Sequence, residues 1–510
     1  MKHATHQRRR HGILAFSLLS LAISTSPVFS QGGYYFSRRD SLPNAVVTAA
    51  GNSLSIPVNR EDVKAIGMGK TQVANGRTFN GMMYNPALLA KGKLSIEALS
   101  VQASLPTTTY DAVRFLTDNT TEFKQALFLG RVRKGVNDFN RPGATTQEKL
   151  AALQEIQNGL KFPRDLLDQV IGSSTDPKQH GIMIVPAITV QVGNLGFSLY
   201  GTAESGFQLI QSATLDALLK VNIPQDLSNP VEASRAITQL FGILETVTDA
   251  NGNISVDQAL PEAYAVSYID IVGAAGYGYS VTPRLSVGAN LKVINRRFST
   301  KRIASDNFDG ILREVQSDLT SNTTGATLDL GALYRWGKLG TEIGLSLQNV
   351  IPVQKISSSA TANFIVSTND YDRDINGNII LNGQGDTAVV TYSRKVKVEA
   401  PFDLKVPFIA NLGVHHPLTE HWDAEFDWVD IAAQDVRFEK YIDRFRIGTE
   451  YRLDAIKDLL GVAGRLGVAD RRITLGFGLN LFRALQIDAA YAHDSFVQES
   501  SYYAQVRLGW

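Results

Sequence analysis

The sequence predicts an all-β chain in which about fourteen antiparallel strands close into a transmembrane β-barrel. The first observation is the stretch Tyr502 to Trp510, where apolar or aromatic residues alternate with Gln505, Arg507 and Gly509. This alternation is typical of a strand with one apolar face and one polar face. The second is the lack of a helix-length apolar segment after residue 30, and the third is the order of long and short connections between strands.

The N-terminus has the features of a secretory signal peptide, which we place at residues 1–30. Arg8 to Arg10 give a basic start, Gly12 to Ser24 form a short apolar stretch, and cleavage is expected before Gln31. The apolar stretch is too short to span a bilayer as a helix. The chain has no Cys, which excludes disulfide and thiolate chemistry, and its net charge of +1 gives no sign of nucleic-acid binding.

Fourteen segments have the alternation, and the length of about 9–11 residues or more, that a membrane-spanning strand requires. The first begins near Lys93, so residues 93–510 are assigned to the barrel. The candidate strands cover residues 93–104, 181–193, 195–206, 263–280, 284–298, 323–336, 340–350, 403–416, 421–433, 440–453, 460–469, 471–482, 484–496 and 501–510.

The connections alternate in length, as in barrels of the bacterial outer membrane, whose outer loops are long and whose periplasmic turns are short. This predicts the cell outer membrane as the location. The long connections are about 105–180, 207–262, 299–322 and 351–402. The short ones are Gly193 to Leu195, Val281 to Arg284, Gly337 to Gly340 and His416 to His421. The segment 351–402 is long enough to contain an additional hairpin.

Charged residues follow one face of two neighbouring strands in the C-terminal half. An Arg or Lys that faces lipid near the midplane costs about 2–4 kcal/mol, so these residues are expected to face the lumen. They are Asp423, Glu425 and Asp427 on one strand, and Arg444, Arg446, Glu450 and Arg452 on the next. Two interpretations stay open: a polar patch along a solute path, or a self-neutralising network that braces the wall.

The last strand is expected to close the barrel by pairing with the first strand near Leu94 to Ala103. Its outward side chains, Tyr502, Val506 and Leu508, would face membrane lipid, with Trp510 at the periplasmic rim. Gln505 and Arg507 would join the polar lumen. A closing strand of this kind is also the expected contact for the barrel-assembly machinery.

A short motif precedes the first strand. It consists of Gly67, Met68 and Gly69, followed by Asn85, Pro86 and Ala87. The motif resembles the opening of the FadL-type transporter superfamily of outer-membrane barrels, which includes PorV-like and TraF-type members. The resemblance implies that residues 67–92 form a hatch inside a fourteen-stranded barrel. Asn-Pro favours a turn, and glycines permit tight backbone packing in a confined lumen.

Residues 31–66 lie between the signal peptide and the hatch and are expected to form a periplasmic leader. Two of the long outer connections look helical: Thr145 with Glu148 forms a capping-box pattern, and Asn229-Pro230 precedes a second apolar repeat. In FadL-type transporters such helices form a groove for the ligand. The resemblance implies ligand capture by Leu153, Ile156, Leu240, Phe241 and Leu244; the alternative is that these side chains pack on one another.

The resemblance implies passive transport of small hydrophobic molecules, such as long-chain fatty acids, gated by the hatch. The alternative is a PorV-like or TraF-type conjugal-transfer component whose loops meet secretion or transfer proteins. No catalytic constellation stands out among the polar residues, so we expect no enzyme, no cofactor and no metal, although catalysis on the barrel is a third alternative. The expected partners are outer-membrane lipid and a hydrophobic small molecule, and no nucleic acid.

Overall fold

The computed structural model describes most of the predicted barrel and the segment inside it. The described residues are 53–55, 58, 60–75, 80–118, 130–171, 178–210, 262–304, 321–337, 340–353, 356–371, 389–434, 440–456, 459–482, 484–494 and 499–509. The predicted signal peptide and most of the predicted leader lie outside these ranges.

Strands dominate the described part of the chain. They are β1 (Ser53–Ser55), β2 (Lys93–Pro106), β3 (Gln179–Gly193), β4 (Leu195–Ile210), β5 (Glu262–Ser280), β6 (Leu285–Ala304), β7 (Ser321–Trp336), β8 (Thr341–Gln348), β9 (Ile356–Tyr371), β10 (Val389–Lys405), β11 (Ile409–Pro417), β12 (Trp422–Trp428), β13 (Phe445–Ile456), β14 (Leu460–Ala469), β15 (Arg472–Leu481), β16 (Leu485–Asp494) and β17 (Glu499–Gly509).

Fourteen of these strands, β2–β8 and β11–β17, form a closed antiparallel barrel, which confirms the predicted fold class. Neighbours in the chain are neighbours in the barrel, except that β8 pairs with β11 across the long connection between them. The circle closes between β17 and β2, where Gln505 pairs with Gln102 and Val506 with Val101. The predicted pairing of the last strand with the first is therefore confirmed.

The described helices lie in the connections and inside the barrel. They are α1 (Val63–Gly67), α2 (Gly81–Tyr84), α3 (Thr107–Asp118), α4 (Gly130–Phe139) and α5 (Thr146–Ile171), with 3-10 helices at Pro86–Lys91 and Tyr441–Arg444. Among the described residues, no helix combines the length and the apolar character that crossing a membrane would need. The predicted capping box at the start of α5 is present, because the Thr145 hydroxyl and the Glu148 carboxylate bond each other's backbone N–H groups.

The connection 351–402 contains the additional hairpin that its length allowed. Strands β9 and β10 pair with each other and stand outside the barrel sheet. The candidate strand 403–416 is therefore two elements: residues 403–405 end β10, and β11 begins at Ile409. Pro407 lies in the gap between them, and proline cannot donate a backbone hydrogen bond to a ladder.

The structure changes the predicted leader boundary. Ser53–Ser55 pairs in parallel with Asp403–Lys405 of β10, which lies at the end of the barrel that carries the long loops. Arg60 and Asp62 are already fully buried inside the barrel. The described part of the predicted periplasmic leader thus lies in two places. Ser53–Ser55 is at the loop end, and Arg60 and Asp62 are in the lumen, where their charged partners are on the inner wall.

The barrel wall has an apolar outer face and a polar inner face. Leu199, Ile271 and Leu475 point outward and are about half exposed, whereas Asn290, Thr474 and Gln505 point inward and are buried. On the closing strand, Tyr502, Val506 and Leu508 are outward, as predicted, and Trp510 lies outside the described residues. The outward apolar side chains form the outer belt, a surface suited to lipid.

Candidate functional site

The lumen of the barrel is filled by the chain's own residues 58–91, described at 58, 60–75 and 80–91, which we call the hatch. Helix α1 packs on β14–β17, and the 3-10 helix Pro86–Lys91 packs on β5, β6 and β7 across the lumen. The hatch residues predicted from the sequence all lie inside the barrel and are buried; they are Gly67, Met68, Gly69, Asn85, Pro86 and Ala87.

Local capping explains how so short a segment holds its shape. The Asp62 carboxylate accepts a hydrogen bond from the backbone N–H of Lys64 and so caps α1. The Asn85 side chain accepts from the N–H of Ala87 at 3.0 Å, and Pro86 occupies the first turn of the 3-10 helix, where its missing N–H costs nothing. The Asn-Pro pair of the motif is thus a helix start, in addition to the turn that the sequence predicted.

Inward-facing glycines of the wall let the hatch backbone approach the strands directly. A Cβ atom added at Gly288 of β6 would overlap the carbonyl group of Pro86, and one at Gly448 of β13 would overlap the carbonyl of Met68. On the hatch side, Gly69 has φ +69°, a left-handed conformation that favours glycine, and its Cβ would meet the Ile447 carbonyl oxygen. The hatch glycine was predicted from the sequence, whereas the glycines of the wall were not.

A chain of buried ion pairs holds the N-terminal part of the hatch at the seam between β2 and β17. Arg60 binds Glu97 of β2 through two hydrogen bonds of 2.6 and 2.7 Å. Arg507 of β17 donates to Glu97 at 2.8 Å and to Asp62 at 2.6 Å. We call Arg60, Asp62, Glu97 and Arg507 the seam latch. Its two positive and two negative groups alternate, so it carries no net charge.

The charge states of the hatch groups follow from these contacts. Burial by itself would raise the pKa of the Asp62 carboxyl, but the guanidinium groups of Arg507 and Arg60 outweigh it and hold that pKa below its usual value. The hydroxyl of Tyr84 accepts a hydrogen bond from the backbone N–H of Asp62 at 2.7 Å. Burial, with the negative charges of Asp62 and Glu61, raises the pKa of Tyr84 well above its usual value. Near neutral pH, Asp62 is therefore charged and Tyr84 is neutral.

The three acidic residues predicted to face the lumen from β12 are buried on the inner face, and two of them bind the hatch. Asp427 accepts hydrogen bonds from the backbone N–H groups of Gln72 at 2.8 Å and Val73 at 3.1 Å. Glu425 accepts from the side-chain amide of Asn75. These carboxylates therefore hold an irregular hatch segment, which is neither helix nor strand.

The arginines predicted on the neighbouring strand have different partners, and Arg444 ends the 3-10 helix just before β13 instead of lying on the strand. Arg446 donates to the carbonyl oxygen of Lys70 in the hatch at 3.1 Å. Arg444 instead pairs with Asp430 at 3.3 Å, in the connection that follows β12.

Glu450 of β13 connects Lys64 of the hatch to charged residues of the wall. It lies 3.1 Å from the ammonium group of Lys64, and Arg465 of β14 reaches it at 2.7 Å. Arg452 bridges Glu450 at 2.7 Å and Asp423 at 2.6 Å. The predicted lumenal charges are thus together on the inner wall. Their mutual pairing and their bonds to the hatch favour the bracing interpretation over a free polar path.

Uncharged groups on β6, β7 and β8 contact the far end of the hatch, where Lys91 also pairs with Glu342 of β8 at 2.8 Å. The Asn290 amide donates to the Met82 carbonyl at 2.7 Å, and the Gln348 amide donates to the Met83 carbonyl at 3.2 Å. The Asn85 amide donates to the carbonyl of Ala332 on β7 at 3.1 Å. Polar residues at alternate positions of these strands indicate an inner face that can bind the hatch. That pattern does not predict which hatch atom each polar side chain contacts.

The residues predicted for ligand capture are only partly within the described chain. Leu153 and Ile156 of α5 are buried, and a Cβ at Gly135 of α4 would stand 2.6 Å from Ile156 Cγ1. Ile156 packs against α4, and both side chains are buried, so in this arrangement they do not present an open surface. Leu240, Phe241 and Leu244 lie outside the described residues, and the capture role stays a prediction.

Comparison with known proteins finds solved structures at low sequence identity. The Pseudomonas putida toluene transporter TodX is 13% identical, with a TM-score of 0.41, and the match covers 90% of this chain and 98% of that chain. A Pseudomonas aeruginosa FadL homologue is 9% identical, with a TM-score of 0.37 and coverage of 90% and 98%. No family model and no curated protein matches the chain.

Such low identities and TM-scores assign neither a cargo nor a gating mechanism to this chain.

Proposed function

We propose that this chain is an outer-membrane channel through which small hydrophobic molecules, such as long-chain fatty acids, pass without an energy source, and that movement of the hatch opens the path. The observation that carries the proposal is the hatch itself. It fills the lumen through side-chain hydrogen bonds, ion pairs and close packing on the wall. Such contacts can break and re-form while every strand of the barrel stays paired.

Placement in the outer membrane is supported by the two faces and the two ends of the barrel. The outer belt is apolar around the wall, and the inner face pairs its charges. Short turns connect β3 to β4, β5 to β6 and β7 to β8 at one end, whereas the long connections lie at the other. In outer-membrane barrels the short turns are periplasmic, which would put Gly509 on the periplasmic side and α3–α5 outside.

A locked-hatch experiment tests the gating step. The chain has no Cys, so any introduced pair is unique. Asn75→Cys with Glu425→Cys places one thiol on the hatch and one on β12, where the native side chains are hydrogen-bonded. A short, reducible bis-methanethiosulfonate crosslinker should then stop uptake of labelled fatty acid into proteoliposomes, and reduction should restore it.

The matched control is a crosslink within the wall. Leu475→Cys and Tyr491→Cys are paired neighbours on β15 and β16, and both are outside the lumen. Crosslinking them should leave uptake unchanged. Equal uptake by the locked and unlocked hatch would reject gating by the hatch. Uptake no faster than in liposomes without protein, for fatty acid and for a monoaromatic probe alike, would reject the channel function itself.

A second candidate is a platform for protein partners of the secretion or transfer type. The observation that favours it is the sheet β1-β10-β9, whose long strands stand outside the barrel at its loop end. Backbone edges of such a sheet can pair with an extended segment of another chain. Photo-crosslinking from positions in 356–371 in living cells would test it, and a lack of any protein adduct would count against this candidate.

A further inference from the structure

Helix α3 starts where a wall strand stops. Pro106 is the last residue of β2, and Thr107 is the first residue of α3. The Thr109 hydroxyl accepts a hydrogen bond from the backbone N–H of Gly181 on β3 at 2.9 Å, and the Thr108 hydroxyl donates to the Gln179 carbonyl. The helix also packs on β17. The first turn of α3 therefore lies between β17 and β3, directly beyond the last residue of β2.

One side chain of α3 reaches the outside of the wall. The ring of Tyr110 contacts the ring of Tyr502 edge-on, with a centroid distance of 5.9 Å, and Tyr502 in turn lies 5.6 Å from Tyr491. Tyr502 points outward and belongs to the outer belt. Tyr110 thus extends the outer belt beyond the end of the strands, at the level where tyrosines gather in membrane proteins.

The exposed surface of α3 is divided into an apolar and a charged strip. Tyr110 is 45% exposed and Val113 is 57% exposed, and residues three apart lie on the same side of a helix. The charged strip beside them contains Asp111, and Arg114 that pairs with Asp118 at 3.8 Å. Ala112, on the opposite side, is buried against the protein.

We propose that α3 is an interfacial helix whose Tyr110–Val113 strip lies against outer-leaflet lipid, while Asp111, Arg114 and Asp118 face water. The occupant is lipid because the strip is continuous with the outer belt through Tyr502. Neighbouring apolar and charged strips are the arrangement of helices that lie in the plane of a membrane interface. The inference rests on the proposed membrane placement of the barrel, and it adds that the helical loops are anchored to the lipid surface.

Spin labels at single introduced cysteines test the proposal on the full mature chain in palmitoyl-oleoyl phosphatidylcholine nanodiscs. The labelled variants are Val113→Cys and Tyr110→Cys on the apolar strip, Asp118→Cys on the charged strip, and Leu199→Cys in the outer belt. Collision rates with oxygen, which concentrates in lipid, and with a nickel chelate, which stays in water, are compared. The oxygen-to-nickel ratio at 113 or 110 should exceed that at 118 several-fold and approach the ratio at 199.

The outcomes separate this inference from the proposed function. Heat-modifiable gel migration confirms that each variant is a folded barrel, and the two strip positions substitute for each other if one variant fails to fold. A water-like ratio at the strip with a lipid-like ratio at 199 overturns the helix proposal alone. Protection of both strip labels from both reagents overturns it too, since protein would then cover the strip. A water-like ratio at 199 overturns the membrane placement.

Discussion

Arg507 on the closing strand donates a hydrogen bond to Asp62 of the hatch across 2.6 Å. The same guanidinium group reaches Glu97 on β2, the strand across the seam, at 2.8 Å. One side chain therefore joins the two strands that close the barrel and also holds the segment that fills it. Because Arg507 binds one carboxylate on β2 and one in the hatch, docking of the hatch and closure of the barrel depend on the same side chain and are energetically coupled.

Replacing Arg507 with Gln should release the N-terminal part of the hatch. Removal of one partner from a buried ion pair typically costs about 3–5 kcal/mol, because the remaining charge stays buried without compensation. The expected results are a lower temperature for heat-modifiable unfolding and faster proteolysis near Asp62. Arg114→Gln is the matched control, since its ion pair with Asp118 is exposed on α3 and such pairs are worth about 0–1 kcal/mol. Equal losses in the two variants would contradict the latch.

Replacing Gly288 with Ala should displace the 3-10 helix of the hatch. The new Cβ would overlap the Pro86 carbonyl group, which is backbone and cannot turn aside. Overpacking of this kind costs about 1–3 kcal/mol. Planar-bilayer recordings should show more frequent open events than for the native chain. Gly464→Ala is the control, because that glycine faces open space on the wall. Unchanged recordings for both variants would show that the hatch does not rest on Gly288.

The sequence was sufficient to predict the barrel because its signal is local. Alternation along each strand identified all fourteen barrel strands, and one error lay at 403–416, where Pro407 separates two elements. The hatch motif at Gly67 and Asn85 could also be predicted from the sequence, because glycine and Asn-Pro have conformational preferences of their own.

The wall residues that contact the hatch could not be predicted from the sequence, because these contacts depend on which distant segments the fold brings together. Asp62 and Arg507 are 445 residues apart in the chain, and no spacing rule links them. Arg60 fell within the predicted leader, because an isolated Arg before a hatch motif gives no sign of burial. An inward glycine such as Gly448 has the pattern of any small wall residue until the Met68 carbonyl is placed against it.

Two substitutions at Asn85 should separate its two roles. The side-chain oxygen caps the 3-10 helix at Ala87, while the amide group donates to the carbonyls of Val73 at 3.0 Å and Ala332 at 3.1 Å. Asn85→Asp keeps the cap and loses the donors. Loss of a buried hydrogen-bond partner costs about 1–3 kcal/mol.

Both Asn85→Asp and Asn85→Ala should therefore loosen the hatch, as measured by hydrogen exchange at residues 80–91. If the amides of Asn85→Asp exchanged as slowly as those of the native chain, capping would be the whole role of Asn85. Its hydrogen bond to the Ala332 carbonyl of β7 would then not stabilise the hatch. The control is Asn480→Ala on β15, a side chain that is exposed rather than buried.

Replacing Ile156 with Ala should loosen the outer helices without affecting the barrel. Ile156 is buried between α4 and α5, where it fits against Gly135. Truncation of a buried Ile to Ala typically costs about 2–5 kcal/mol through lost contacts and a cavity. Hydrogen exchange of the α4 and α5 amides should therefore accelerate, while exchange in β14–β17 stays unchanged.

The matched control is Ala151→Ser, an exposed position on the same helix. Unchanged exchange in α5 after Ile156→Ala would mean that packing does not depend on this side chain. A parallel loss of fatty-acid uptake would then favour the capture role predicted from the sequence.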